Sequence, residues 1–357
     1  MVTLETKKMK KFFFVIFLSS ITLAQSQNGK LSPEFYQEKR EMFRERMPEN
    51  SVAVLFSAPI RNRANDVDYV FHQDPNFFYL TGWHQPHSVL MIYKNPQVDE
   101  LGSFNEKIYI LERDEYKELW NGKRYSLEAV KKLGFERVNT RKYFMDDISN
   151  LSTYDKVLIF GFNNDIRNQE DDPFDLFDLK AALKKAINFP SSFNRELYTV
   201  YQHILEADDD SIESIREEVK AHVQLDSTLI EDEIIKQFLL YSNNDFFTEV
   251  KTKTAFALRN YNFDLVTLPQ IMKDMREIKS DDEIELIKKA VAISVIGQKE
   301  VMKAMHANMT EREIQGIHEF VYRKYGAADE GYPSIVGAGE NSCVLHYNEN
   351  EKNNIYR

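Results

Sequence analysis

Four short apolar runs constrain this chain more than any other feature. Residues 51–57, 89–93, 107–111 and 156–162 are crowded with Val, Ile, Leu, Phe and Tyr. Runs this short, rich in β-branched and aromatic side chains and bounded by polar turns, make buried strands. Helix-like segments lie between them at 114–120 and 127–133, the latter closed by Gly134. Ahead of the first run, Ser32 caps and Pro33 starts a charged helix that extends to Met47. Strands alternating with helices bury their apolar faces by stacking in layers, so an α/β arrangement is expected here.

The polar stretch 163–173 reads as a solvated loop, and from Leu205 to Lys251 the pattern turns helical and acidic. Asp208, Asp209 and Asp210 precede Ser211 and a helical spacing of Ile212, Ile215 and Val219. At a helix entry such acids cap and complement the dipole, which we prefer to a cation site. Two capping boxes follow, Ser280 with Glu283 and Thr310 with Glu313. They open one helix with Ile284, Ile287, Val291 and Val295 on a face, and another with Ile314, Ile317 and Val321 that ends near Gly326. The organisation expected is a first domain at 30–265, a linker at 266–280 and the start of a second domain at 281–357.

A chain of 357 residues has room for two cores. Its net charge of −11 argues against nucleic acid and against docking on anionic lipid. Lys7, Lys8, Lys10 and Lys11 precede an apolar run at 12–24 and a polar Gln25. That order makes 1–25 a signal peptide, with Met9 as an alternative start, and implies export to a periplasm or beyond. The run is too short to span a bilayer, so no stable membrane anchor is expected. Cys343 is the single cysteine, which excludes an internal disulfide and a cysteine-built zinc site.

Chemistry concentrates at 331–350, Gly-Tyr-Pro-Ser-Ile-Val-Gly-Ala-Gly-Glu-Asn-Ser-Cys-Val-Leu-His-Tyr-Asn-Glu-Asn. A Pro- and Gly-punctuated turn leads into 342–347, read as a short strand that delivers His346. On a strand Cys343 and His346 point to opposite faces, which argues against a thiol hydrolase. Gly337-Ala-Gly339 lacks the Lys and the following helix of a phosphate loop and reads instead as a close backbone approach. His318-Glu319 lacks the second His of a zincin helix. His84 and His87 flank Pro86 and read as a solvated turn.

Three blocks, in order, carry a resemblance: Asn65 to Trp83 (Asn-Asp-Val-Asp-Tyr-Val-Phe-His-Gln-Asp-Pro-Asn-Phe-Phe-Tyr-Leu-Thr-Gly-Trp), Met275 to Ala290, and Gly331 to Asn350. Together they resemble the Xaa-Pro aminopeptidase (aminopeptidase P) and prolidase family of metallopeptidases, across the chain from about Leu31 onward. The resemblance implies a fold: an α/β N-terminal domain of the creatinase/aminopeptidase P type, with a mixed sheet and flanking helices, then an incomplete α+β pita-bread catalytic domain. It also implies hydrolysis of the N-terminal Xaa-Pro bond of peptides by a water held on two Mn(II) ions. In the family, two Asp, one His and two Glu hold those ions beyond the position of Arg357. The chain as given is therefore expected to be a fragment that binds no metal and is inactive.

The resemblance assigns His346 to the substrate carbonyl or tetrahedral intermediate and Tyr347 to substrate binding. It matches Trp120 to an aromatic lent by a neighbouring subunit, which implies a homo-oligomer. A non-catalytic oligomerisation or binding module, a prolidase and a creatinase-like hydrolase stay open. Two departures are His72, where the family commonly has arginine, and the length of 163–261.

Overall fold

The computed structural model describes residues 31–162, 166–167, 172–240 and 244–351. The signal-peptide reading at 1–25 lies outside them.

The first domain is built on a mixed sheet. Its strands are β1 (Ser51–Phe56), β4 (Val89–Asp99), β5 (Gly102–Ile110), β6 (Arg137–Thr140), β7 (Lys156–Leu158) and β8 (Phe263–Asp264), in the order β6-β5-β4-β1-β7-β8. β1 runs antiparallel to β4 and parallel to β7, and β8 extends the parallel edge. A separate hairpin pairs β2 (Asn62–Ala64) with β3 (Val67–Asp68). The four apolar runs all become strands for one reason: both faces of the sheet are covered. Alternate side chains of β1 enter opposite cores, Ala53 and Leu55 on one side and Val52 and Val54 on the other. β4 does the same with Leu90 and Ile92 against Val89, Met91 and Tyr93.

Helices α1 (Pro33–Arg46), α2 (Pro75–Thr81), α3 (Glu115–Asn121), α4 (Leu127–Lys131) and α5 (Phe144–Asp147) precede β7 or link the strands. α1 and α2 begin as their sequences dictate, with Ser32 and Asp74 accepting from the first-turn N–H groups and proline in the first turn. Gly82 ends α2 at φ 61, and a Cβ there would collide with the Tyr36 ring. Between β7 and β8 lie α6 (Leu176–Ala186), α7 (Arg195–Glu206), α8 (Ile212–Leu225), α9 (Glu233–Leu240) and α10 (Asn244–Leu258). The last four build their own core around Val200, Ile204, Val219, Ile235, Phe238 and Val250. Ahead of α8, Asp208 brackets the N-cap Ser211: it accepts from the Ser211 N–H at 2.8 Å, while its own N–H donates to Ser211 Oγ at 2.9 Å, and no side chain caps the helix N–H groups.

The stretch 266–280, read as a linker, is helical over most of its length. This helix is α11 (Thr267–Glu277), and Leu268, Ile271, Met272 and Met275 pack into the core under α1 and α2. Their spacing is the amphipathic stripe of a surface helix, hidden in sequence by its nearness to the capping box. The second region then holds α12 (Asp281–Ala304) and α13 (Glu311–Lys324), both opened by complete capping boxes. Lys39 Nζ lies 3.1 Å from Glu283 Oε2 and ties α12 to α1.

Candidate functional site

The C-terminal loop is organised by one carboxylate on the first turn of α13. Glu311 is fully buried, and its Oε1 accepts the Ala338 N–H at 2.6 Å and the Asn341 side-chain amide at 3.2 Å. Its Oε2 accepts the Tyr347 hydroxyl at 2.7 Å. A carboxylate in this position also benefits from the positive end of the helix. Asn350 closes the loop from the other side. It accepts the Val336 N–H at 2.9 Å and donates to the Ser334 carbonyl at 2.7 Å and to Gln315 Oε1 at 3.0 Å. Gly337 permits the tight turn, since a Cβ there would stand 2.8 Å from the Asn341 backbone. The close approach read from Gly337-Ala-Gly339 is thus made to the loop's own backbone.

The strand expected at 342–347 is not formed. Residues Gly339–Cys343 make a 3-10 helix, and a turn follows at Leu345 and His346. The Glu311 bracket holds the backbone folded back on α13, and among the described residues no strand pairs with it. Without a strand, Cys343 and His346 are not held to opposite faces by strand geometry. Tyr347 is buried, whereas His346 is exposed and makes no hydrogen bond or ion pair among the described residues. The structure thus presents a free imidazole on a braced loop.

Trp120 is 76% exposed on α3, beside exposed Tyr116 and Leu119, and that helix buries none of its residues. The bidentate pair of Arg113 with Glu118, at 2.8 and 2.6 Å, ties α3 to the chain just before it. No contact joins Trp120 to His346 among the described residues.

Two further readings change. His87 does not lie in a solvated turn: it is buried at φ 53, with Nε2 near the Ile60 N–H at 3.5 Å and Nδ1 unpartnered. Burial, reinforced by the positive charge of Arg141, pushes its pKa down to about 4. Asp172, in the stretch read only as a solvated loop, pairs at 3.0 Å with buried Arg141. The Arg141 charge holds its carboxyl below the usual range despite the opposing effect of burial.

A cavity of about 410 Å³ opens at the carboxyl ends of β1 and β7, lined by Arg61, His72, Asp74 and Lys180 among others. Among the described residues, no group of three or more His, Cys, Asp or Glu is arranged to hold a metal ion. No helix among them is long and apolar enough to cross a membrane. Glu311 and Asn350 escaped the sequence reading. Glu311 stands beside the capping Thr310 and looks like an ordinary first-turn acid, and nothing local marks the loop that it will meet.

Comparison with known proteins places this geometry. Residues 36–160 match the aminopeptidase P N-terminal domain, and residues 285–357 match metallopeptidase family M24. The Xaa-Pro aminopeptidase of Haemophilus influenzae is 26% identical over 91% of this chain and 55% of its own length. Intermediate cleaving peptidase 55 of Schizosaccharomyces pombe is 26% identical over 93% of this chain and 53% of its own length. Proline aminopeptidase P II from Yersinia pestis superposes with a TM-score of 0.59 at 22% identity, covering 90% of this chain and 57% of that one. The chain thus spans somewhat more than half the length of these relatives. Its architecture is an N-terminal aminopeptidase P domain followed by a partial M24 catalytic domain.

Proposed function

We propose, from the premise that the chain belongs to the aminopeptidase P and prolidase family of metallopeptidases, that it serves hydrolysis of the N-terminal Xaa-Pro bond of peptides. The observation that carries this is the exposed His346 beside Tyr347, whose hydroxyl is bound by buried Glu311. In this reading His346 donates a hydrogen bond to the scissile carbonyl oxygen and exchanges a proton as the tetrahedral intermediate forms and collapses. Tyr347 and Glu311 hold the loop that aims it. Trp120, on an exposed aromatic face, is offered to a second subunit, where a flat ring stacks on proline. The basic and apolar order of residues 7–24 supports export.

A pair of Mn(II) ions would supply an activated water and a polarised carbonyl. The described residues do not fit such a pair, since no three suitable side chains converge. Metal binding is therefore assigned to donors outside them, and this polypeptide alone is expected to be inactive. That same lack of donors favours a second reading, a non-catalytic module that associates through the α3 face.

Two measurements test the proposal. Dialysed protein supplemented with Mn(II) is expected to retain no pair of ions by mass spectrometry and to release nothing from an Xaa-Pro tripeptide or dipeptide. Robust release would overturn the assignment of metal donors. Next, residues 31–351 replace the matching segment of the Haemophilus influenzae relative. Proline-specific release that His346→Ala abolishes supports the catalytic reading. A folded, metal-loaded chimera without activity favours the module.

A further inference from the structure

The segment between β7 and β8 carries an unassigned constellation. α7 and α8 face one another, and each contributes a carboxylate and an imidazole to the seam: Glu196 and His203 from α7, Glu218 and His222 from α8. On α8 the two lie one turn apart, and on α7 two turns, so each pair shares a helix face. The pairs then cross between helices. His222 Nδ1 lies 3.0 Å from Glu196 Oε2, and His203 Nδ1 lies 3.6 Å from Glu218 Oε2. The second distance is too long for a hydrogen bond, and His203 Nδ1 is a buried atom with no hydrogen-bond partner. The two rings stand with centroids 5.7 Å apart.

An exposed His–Glu pair is ordinarily a surface ion pair worth little. Two observations go beyond that: the rings come from different helices, and their spacing suits a shared ion. An imidazole binding zinc at about 2.0–2.1 Å places its ring centre about 3.2 Å from the metal, so two ligands at tetrahedral angles sit about 5.2 Å apart. We propose that His203 and His222 bind one divalent cation of the zinc and nickel class between α7 and α8. The four donors do not converge on one point as they stand, so the carboxylates act from outside. Glu196 accepts from His222 Nδ1–H and leaves the lone pair on Nε2, the arrangement in which a carboxylate orients a ligating imidazole. Both carboxylates are more than half exposed while the rings are mostly covered, so an ion enters from solvent. Occupancy pins α7 to α8 and stiffens the helical segment. This inference rests on neither His346 nor the peptidase reading.

The test is calorimetric titration of chelator-treated protein with ZnCl₂, NiCl₂ and MnCl₂, paired with thermal melts. One zinc or nickel ion per chain should bind and raise the melting midpoint, while Mn(II), which favours oxygen ligands, should not compete. His203→Gln and His222→Gln, which retain bulk at the seam, should each lose binding, and Glu196→Gln should weaken it about tenfold. His306→Ala, on a distant loop, should bind as the parent does. Circular dichroism of the metal-free variants reports whether each is folded. Absent zinc binding by the parent, or undiminished binding by folded His203→Gln or His222→Gln, overturns the proposal.

Discussion

The sheet domain and the α12–α13 region are held together by different means. In the first, both faces of the sheet are sealed by apolar cores, and the charged groups that enter them are paired inside. In the second, the buried apolar cluster is Val301, Met309 and Ile314, and the loop is braced mainly through Glu311 and Asn350. The first region therefore carries its stability within itself. The second has local order but leaves apolar surface uncovered, which is how part of a larger catalytic fold behaves.

The largest effect that would break this contrast is at Arg40. Its guanidinium is buried and donates to Glu106 at 2.6 Å, to the Leu80 carbonyl at 3.0 Å and to the Gly134 carbonyl at 2.8 Å. Burial pushes the Glu106 carboxyl up, and Arg40 only partly offsets it. Arg40→Ala strands that carboxylate and should cost about 3–5 kcal/mol in urea unfolding. The corresponding loss in the second region, Arg312→Ala, removes an exposed pair with Glu351 and should cost less than about 1 kcal/mol. Equal costs would erase the distinction.

His87 sharpens it through pH. Its folded pKa of about 4 lies below the ordinary 6.5, so the unfolded chain binds the extra proton first. The stabilisation is complete above about pH 6.5 and is lost as pH falls toward 4, by about 3 kcal/mol in all. His87→Asn keeps a side chain tolerant of the positive φ and removes this dependence. The difference between parent and variant stabilities, measured by urea unfolding from pH 7 to 4, should therefore shrink as pH falls. A constant difference would show that His87 is not the group responsible.

Much of the sheet domain was legible because its signals are local. Val-Ala-Val-Leu-Phe at 52–56 can only be a strand covered on both sides, and Ser280 with Glu283 states a helix start within four residues. What escaped depends on partners distant in sequence. His87 is buried by a fold that brings Arg141 and Asp175 near it, and 342–347 fails to become a strand because Glu311 holds the loop folded back. The α11 helix was not legible because its buried stripe meets α1 and α2, far away along the chain. At the candidate site, the motif is what points to His346, whereas the Glu311 brace that holds its loop has no local mark in the sequence.

The smallest expected effect concerns the outward face of α12. Ile284, Ile287, Val291 and Val295 share a face, yet they are 38%, 48%, 55% and 46% exposed. The buried line of the helix is instead Ile293, Gly297 and Val301, with Gly297 letting the His318 ring press close. On α13, Ile314 and Val321 are buried. Since Ile287 and Val291 are about half exposed, Ile287→Ser with Val291→Ser should shift the unfolding free energy by no more than about 0.5 kcal/mol per substitution. The same change should lower dye binding to exposed apolar surface and reduce self-association in light scattering, because contiguous apolar patches drive both. A loss above about 2 kcal/mol would mean that the stripe is already covered, by a second copy or by residues outside those described, and the contrast between the two regions would then fail.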